Sequence, residues 1–183
     1  MNRHKYLNKE EVKAILGVAK QKGGVAWLLV DTALQTGLRV SELQRIQIQD
    51  VDLRRYLIRI TRSKKLKPKV ESLPISNELN RHLANYIRSS KRTEGPLFVG
   101  LQGPLTTRGL QQIWDAARKA AGLPNGLSIH CARHTMATHM ITRTGNLKLV
   151  QQQLGHASPV TTANMYAAIP FPERQKQLNG LYK

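Results

Sequence analysis

The chain has a single cysteine, Cys131, in 183 residues. One thiol cannot close an internal disulfide, and its isolation excludes a Cys-rich zinc module. A reducing compartment follows, with the cytoplasm as the expected location. Acidic residues are also scarce, 11 Asp and Glu against 29 Lys and Arg. They are scattered, so no carboxylate cluster suited to magnesium is found, nor is there a Walker-type phosphate loop. No apolar run approaches a membrane span, and "MNRHKYLNKEE" lacks the apolar stretch of a signal peptide. The expected protein has neither metal, cofactor nor membrane partner.

What is present is positive charge, +18 in total, distributed along the whole length. Without a strongly apolar amphipathic anchor, such a domain points to a nucleic-acid backbone rather than a membrane surface. If about six to ten phosphates are contacted, affinity falls by roughly a thousandfold or more between 50 and 200 mM salt. The length suits one domain with its own hydrophobic core.

Asn8 and Glu11 have capping-box spacing, and Val12, Ile15, Leu16 and Ala19 follow at helical intervals until Gly23-Gly24. "VAWLLVDTALQ" is apolar nearly all round, which predicts a central helix. Gly37 turns the chain into another at "TGLRVSEL". From Ile46 to Ile75 the period becomes two, predicting strands in "IQIQDVD", "YLIRI" and "VESLPIS", the last two joined by the basic loop "TRSKKLKPK". Helices return in "NELNRHLANYIRSS", "TTRGLQQIWDAARKAAG" and "NLKLVQQQLG", with "TEGPLFVGLQGPL" as a connection. Ser158-Pro159 reads as the start of a helix carrying Tyr166. The class is α+β, mostly α-helical with a small three-stranded antiparallel sheet.

"SIHCARHTMATHM", Ser128 to Met140, gathers three histidines and an arginine on a predicted helix ending near Gly145. His130 and His134 share a face, but "CAR" between them supplies no glutamate base and puts Arg133 beside the supposed metal. Adjacent helical residues diverge, so His130 is not poised to activate Cys131, which reads as a small buried hydrophobe. His130 and Arg133, three apart, can bond the same anion, since Arg offers a planar fork and His a third bond or a proton. The plainer reading, a solvated helix face, stays open on these residues alone. His4 and His82 read as surface residues; His134 and His139 serve structure or substrate contacts.

Four segments in order, "TGLRVSEL", "HCARHTMATHM", "LGHAS" and "TTANMYA", resemble the tyrosine recombinase (phage integrase) family over nearly the entire chain. That resemblance implies the DNA breaking-rejoining fold and a catalytic domain spanning 1–183, with 170–183 as a tail docking on a neighbouring protomer. The N-terminal core-binding domain is expected to be absent, because the catalytic pattern begins within the first dozen residues. It further implies catalytic roles for Arg39, His130, Arg133, His156 and Tyr166, with Glu42 in support. The family's hairpin lysine falls in "TRSKKLKPK" and is assigned to Lys64, with Lys65 and Lys67 as competitors. His156 to Tyr166 is one residue longer than the commonest family spacing.

The implied reaction is site-specific recombination of double-stranded DNA through a 3′-phosphotyrosyl intermediate, without ATP or metal. Implied partners are a homo-tetramer in synapsis and accessory DNA-bending or directionality proteins. Two arginines suit the charge that gathers on a phosphorane-like transition state, and tyrosine, with a pKa near 10, needs cations and a base to ionise. A strand-swivelling type IB topoisomerase and a catalytically silent DNA-binding regulator are the alternatives.

Overall fold

The computed structural model describes residues 6–62 and 69–155. Helix α1, Lys9–Lys22, starts as its capping box predicts. The Asn8 side chain accepts from the Glu11 N–H, and the Glu11 carboxylate accepts from the Asn8 N–H, both at 2.9 Å. Gly23, at φ 68°, turns the chain directly into α2, Gly24–Thr36. This helix is the centre of the core. Leu28, Leu29, Val30 and Ala33 are buried, and α1 joins the later helices α4 (Asn77–Ser90), α5 (Thr107–Ala120) and α6 (His130–Thr144) in packing against it. Trp114 on α5 is fully buried, its indole N–H donating to the Leu127 carbonyl at 2.8 Å.

After α2, Gly37 adopts the left-handed conformation and leads into α3, Val40–Arg45. At φ 64° the turn itself favours glycine at position 37, and a Cβ there would also displace the flexible end of Met136 on α6. A short α7, Leu147–Leu154, follows α6 and ends at left-handed Gly155.

The sheet runs β1 (Val51–Asp52), β2 (Leu57–Arg62), β3 (Lys69–Pro74), antiparallel throughout. Ile58 pairs with Leu73, Ile60 with Glu71 and Arg62 with Lys69. Burial alternates along β2, so Ile58, Ile60 and Arg62 point inward.

Several expectations need correction. Only the end of "IQIQDVD" is strand; Ile48–Asp50 form a 3-10 turn. There the Asp50 carboxylate accepts from the Gln47 N–H at 3.0 Å, a local bond that competes with a strand ladder. The connection "TEGPLFVGLQGPL" contains a two-stranded hairpin, β4 (Val99–Gly100) with β5 (Gly103–Pro104). Thr61, Arg62 and Lys69, read as loop, extend β2 and β3. His82 is no surface residue: α4 presents it to α2, where its Nδ1 lies 2.6 Å from the buried Asp31 carboxylate and its ring rests on Trp27. No helix among the described residues is long and apolar enough to cross a membrane.

Candidate active site

Arg39 is the N-cap of α3, and Glu42 lies in its first turn. One Glu42 oxygen accepts from the Arg39 backbone N–H at 2.8 Å, the other from its Nη1 at 3.0 Å. Glu42 is buried, whereas the Arg39 side chain keeps 44% of its surface. The acid is thus a fixed anchor for a cation that still reaches solvent.

His130 and Arg133 open α6, in its first and second turns. Arg133 is buried and donates from Nη1 to the Gly37 carbonyl at 2.7 Å and from Nη2 to the Leu154 carbonyl at 2.8 Å. Burial first, then the charge of Arg39, pushes its pKa down to about 10, against the opposing pull of Glu42. It remains a cation at neutral pH. His130 is exposed at one edge, and its ring meets His134 edge-on with centroids 5.2 Å apart. Partial burial, then Arg133, then Arg39, lower its pKa below the ordinary histidine value. The neutral imidazole, a proton acceptor, is therefore the resting form at neutral pH.

A third arginine completes the arrangement. Arg62, inward-facing on β2, is 3% exposed. Its Nε donates to Glu71 at 2.7 Å, Nη1 to the Leu154 carbonyl at 2.6 Å and Nη2 to the Gln153 carbonyl at 2.8 Å; Nη1 also stands 3.6 Å from Glu42. Arg62 and Arg133 together satisfy the carbonyl end of α7, where cations are favoured. Gly155 follows immediately, and a Cβ there would overlap the Arg62 guanidinium. Glu71 is held below the usual carboxylate range: burial raises its pKa, but the hydrogen bonds and charges of Arg62 and Lys69 outweigh it.

The contacts form a closed circuit: Arg39 to Glu42, Glu42 to Arg62, Arg62 to the Leu154 carbonyl, that carbonyl to Arg133, and Arg133 to Gly37, two residues before Arg39. Of the expected site residues, Arg39, Glu42, His130 and Arg133 are brought together. Lys64, with its competitors Lys65 and Lys67, and His156 and Tyr166 lie outside the described residues. Sequence reasoning missed Arg62. The available signal was its inward register after Ile58 and Ile60, overlooked because its basic neighbours made it look like loop. Cys131 is buried as expected, and burial, followed by the charge of Glu11, pushes its thiol up to about 12.

A buried guanidinium stands beside an exposed one, with a neutral imidazole in the first turn of the same helix as the buried one, and such donors and an acceptor are chemically suited to an anion and a proton. The phage integrase family model matches residues 5–172, and the chain belongs to this family of tyrosine recombinases. Tyrosine recombinase XerC of Corynebacterium glutamicum is 36% identical over 138 residues, covering 73% of this chain and 44% of that protein. The crystal structure of XerA recombinase superposes with TM-score 0.85 at 25% identity, covering 100% of this chain and 65% of that one. A lambda integrase tetramer bound to a Holliday junction shares the fold, with TM-score 0.72 at 19% identity over 87% of this chain and 47% of that one. The chain thus spans under half the length of the XerC relative.

Proposed function

We propose that the chain is the catalytic domain, 1–183, of a site-specific DNA recombinase that cleaves and rejoins double-stranded DNA through Tyr166. The observation that carries this reading is the circuit that ties Arg39 and Arg133 together with His130 beside them, in a chain of this family. Two guanidinium groups from different helices hold the non-bridging oxygens of the scissile phosphate and orient it for in-line attack. The Tyr166 hydroxyl gives its proton to neutral His130 as its oxygen bonds to phosphorus. The bond from phosphorus to the 5′ oxygen breaks, and Lys64 supplies the proton that oxygen needs. His156 donates to the phosphate. The product is a 3′-phosphotyrosine and a free 5′ hydroxyl; attack by a 5′ hydroxyl reverses the step or joins a new strand.

The partner is duplex DNA, which the charge of +18 favours. Assembly is a tetramer in synapsis, a reading supported by the tetrameric state of lambda integrase on its junction. The 170–183 tail is assigned to protomer docking, DNA-bending or directionality proteins are further partners, and the cytoplasm is the site of action.

Nicked duplexes test the reaction, because the short 5′ fragment diffuses away and traps the cleaved state. The expected result is a protein–DNA adduct on a denaturing gel that disappears in Tyr166→Phe while binding persists. Adduct formation without dependence on a defined site would favour a type IB topoisomerase. Binding with no adduct, even after a DNA-clamping domain is added, would favour a silent DNA-binding module.

A further inference from the structure

Arg62 belongs to none of the motifs that mark the site, yet its guanidinium makes three hydrogen bonds and an ion-pair contact there. Its guanidinium spans three elements: Glu71 on β3, Glu42 on α3, and the C-terminal end of α7 through the Gln153 and Leu154 carbonyls. We infer that Arg62 is a positioning residue, a buried clasp that sets Arg39 through Glu42 and Arg133 through the shared Leu154 carbonyl, so that the two guanidinium groups meet one phosphate. The inference rests on the recombinase reading for its catalytic consequence, but not for its geometry.

A fixed cation of this kind is costly unless its donors are matched. Here they are matched to the Glu71 carboxylate and two carbonyls, with Glu42 as a second ion-pair partner, and the fork geometry decides which elements they join. A lysine retains the charge and three donors on one nitrogen, but lacks the planar fork whose separate nitrogens reach these partners. Gly155 supports the assignment independently, since the backbone passes so near the guanidinium that any side chain there would displace it. The β2–β3 hairpin, the end of α7 and the phosphate-facing arginines are consequently set against one another by one side chain. A stabilising ion pair alone would need only one of these contacts.

The test compares the full chain with Arg62→Met and Arg62→Lys. Its probe is a pool of nicked duplexes with a randomised core, from which the wild-type protein captures its own cleavage sites covalently. For folded Arg62→Met, the single-turnover adduct rate at saturating DNA is expected to fall about a hundredfold. The DNA concentration giving half-maximal rate should be unchanged, and Arg62→Lys should fall in between.

A second readout needs no DNA. The His130 imidazole is titrated by NMR; Arg133 and Arg39 are the charges that, after burial, hold its midpoint down. If Arg62 sets those two arginines, Arg62→Met raises the midpoint, which a loss of stability alone would not do. If Arg62→Met does not fold, Glu71→Leu, which removes the acceptor of Nε alone, carries the same two comparisons. A folded variant with wild-type adduct rate and an unmoved His130 midpoint would overturn the inference. If wild-type protein captures no duplex from the pool, even with a DNA-clamping domain added, the recombinase reading fails, and the His130 titration decides the positioning role by itself.

Discussion

Replacing Glu42 by Gln removes one charge from the centre of the circuit while preserving shape. Breaking a buried pair by deleting one partner typically costs about 3–5 kcal/mol. Two features of this site reduce that figure. Arg62 keeps Glu71 at 2.7 Å and two carbonyls, and Arg39 is partly solvated, so its loss of a partner is screened. The expected loss is about 2–3 kcal/mol, which for a domain of this size lowers the melting temperature by about 4–12 °C. Arg39→Ala should behave in the opposite way. Its removal leaves Glu42 facing Arg62, so stability changes by less than about 1 kcal/mol, whereas phosphate cleavage falls by about a hundredfold or more. Urea and thermal unfolding of both variants, combined with single-turnover adduct assays, make the comparison. The reasoning is refuted if Glu42→Gln melts within about 2 °C of wild type, or if Arg39→Ala is the less stable of the two.

Gly155→Ala should lose more stability than Gly145→Ala. Both glycines sit at φ 63°, where a side chain costs about 1–2 kcal/mol, but only at Gly155 does the new Cβ meet Arg62; equal denaturation midpoints would show that Arg62 yields freely. The His130 pKa is lowered in the folded protein, so the imidazole is neutral above that lowered value and charged below it. Adduct rates should accordingly hold steady near neutral pH and decline only as pH drops below the ordinary 6.5 through the lowered pKa; His130→Gln should lack this limb. Stability has the same sign, because between the two values the unfolded chain binds the proton and the folded one does not. Cys131, buried with its pKa pushed up to about 12, should resist iodoacetamide in the native protein and react once urea unfolds it.

Much of the fold was legible because local signals agreed with the tertiary outcome. The Asn8 and Glu11 box, the apolar run of α2 and the alternation in β2 each encode their element within a few residues. Where a short polar side chain competed for the backbone, as Asp50 does at Gln47, strand periodicity misled. His82 was misjudged for another reason. Its partner Asp31 lies 51 residues earlier, and no local pattern announces a contact of that separation.

The site divides along the same line. The sequence by itself placed Arg39, His130 and Arg133 in short motifs that resemble those of the family, and their spacing depends only on a helix start and a helix turn. It also determined that Glu42 lies within reach of Arg39, three residues away. Only the tertiary structure decided that Arg133 bonds Gly37 across 96 residues and that Arg62 reaches Leu154 across 92. Local spacing fixes the direction of a side chain relative to its own helix or strand. Whether two such directions converge depends on how α2, α6, α7 and β2 pack, and that is set by the buried core as a whole.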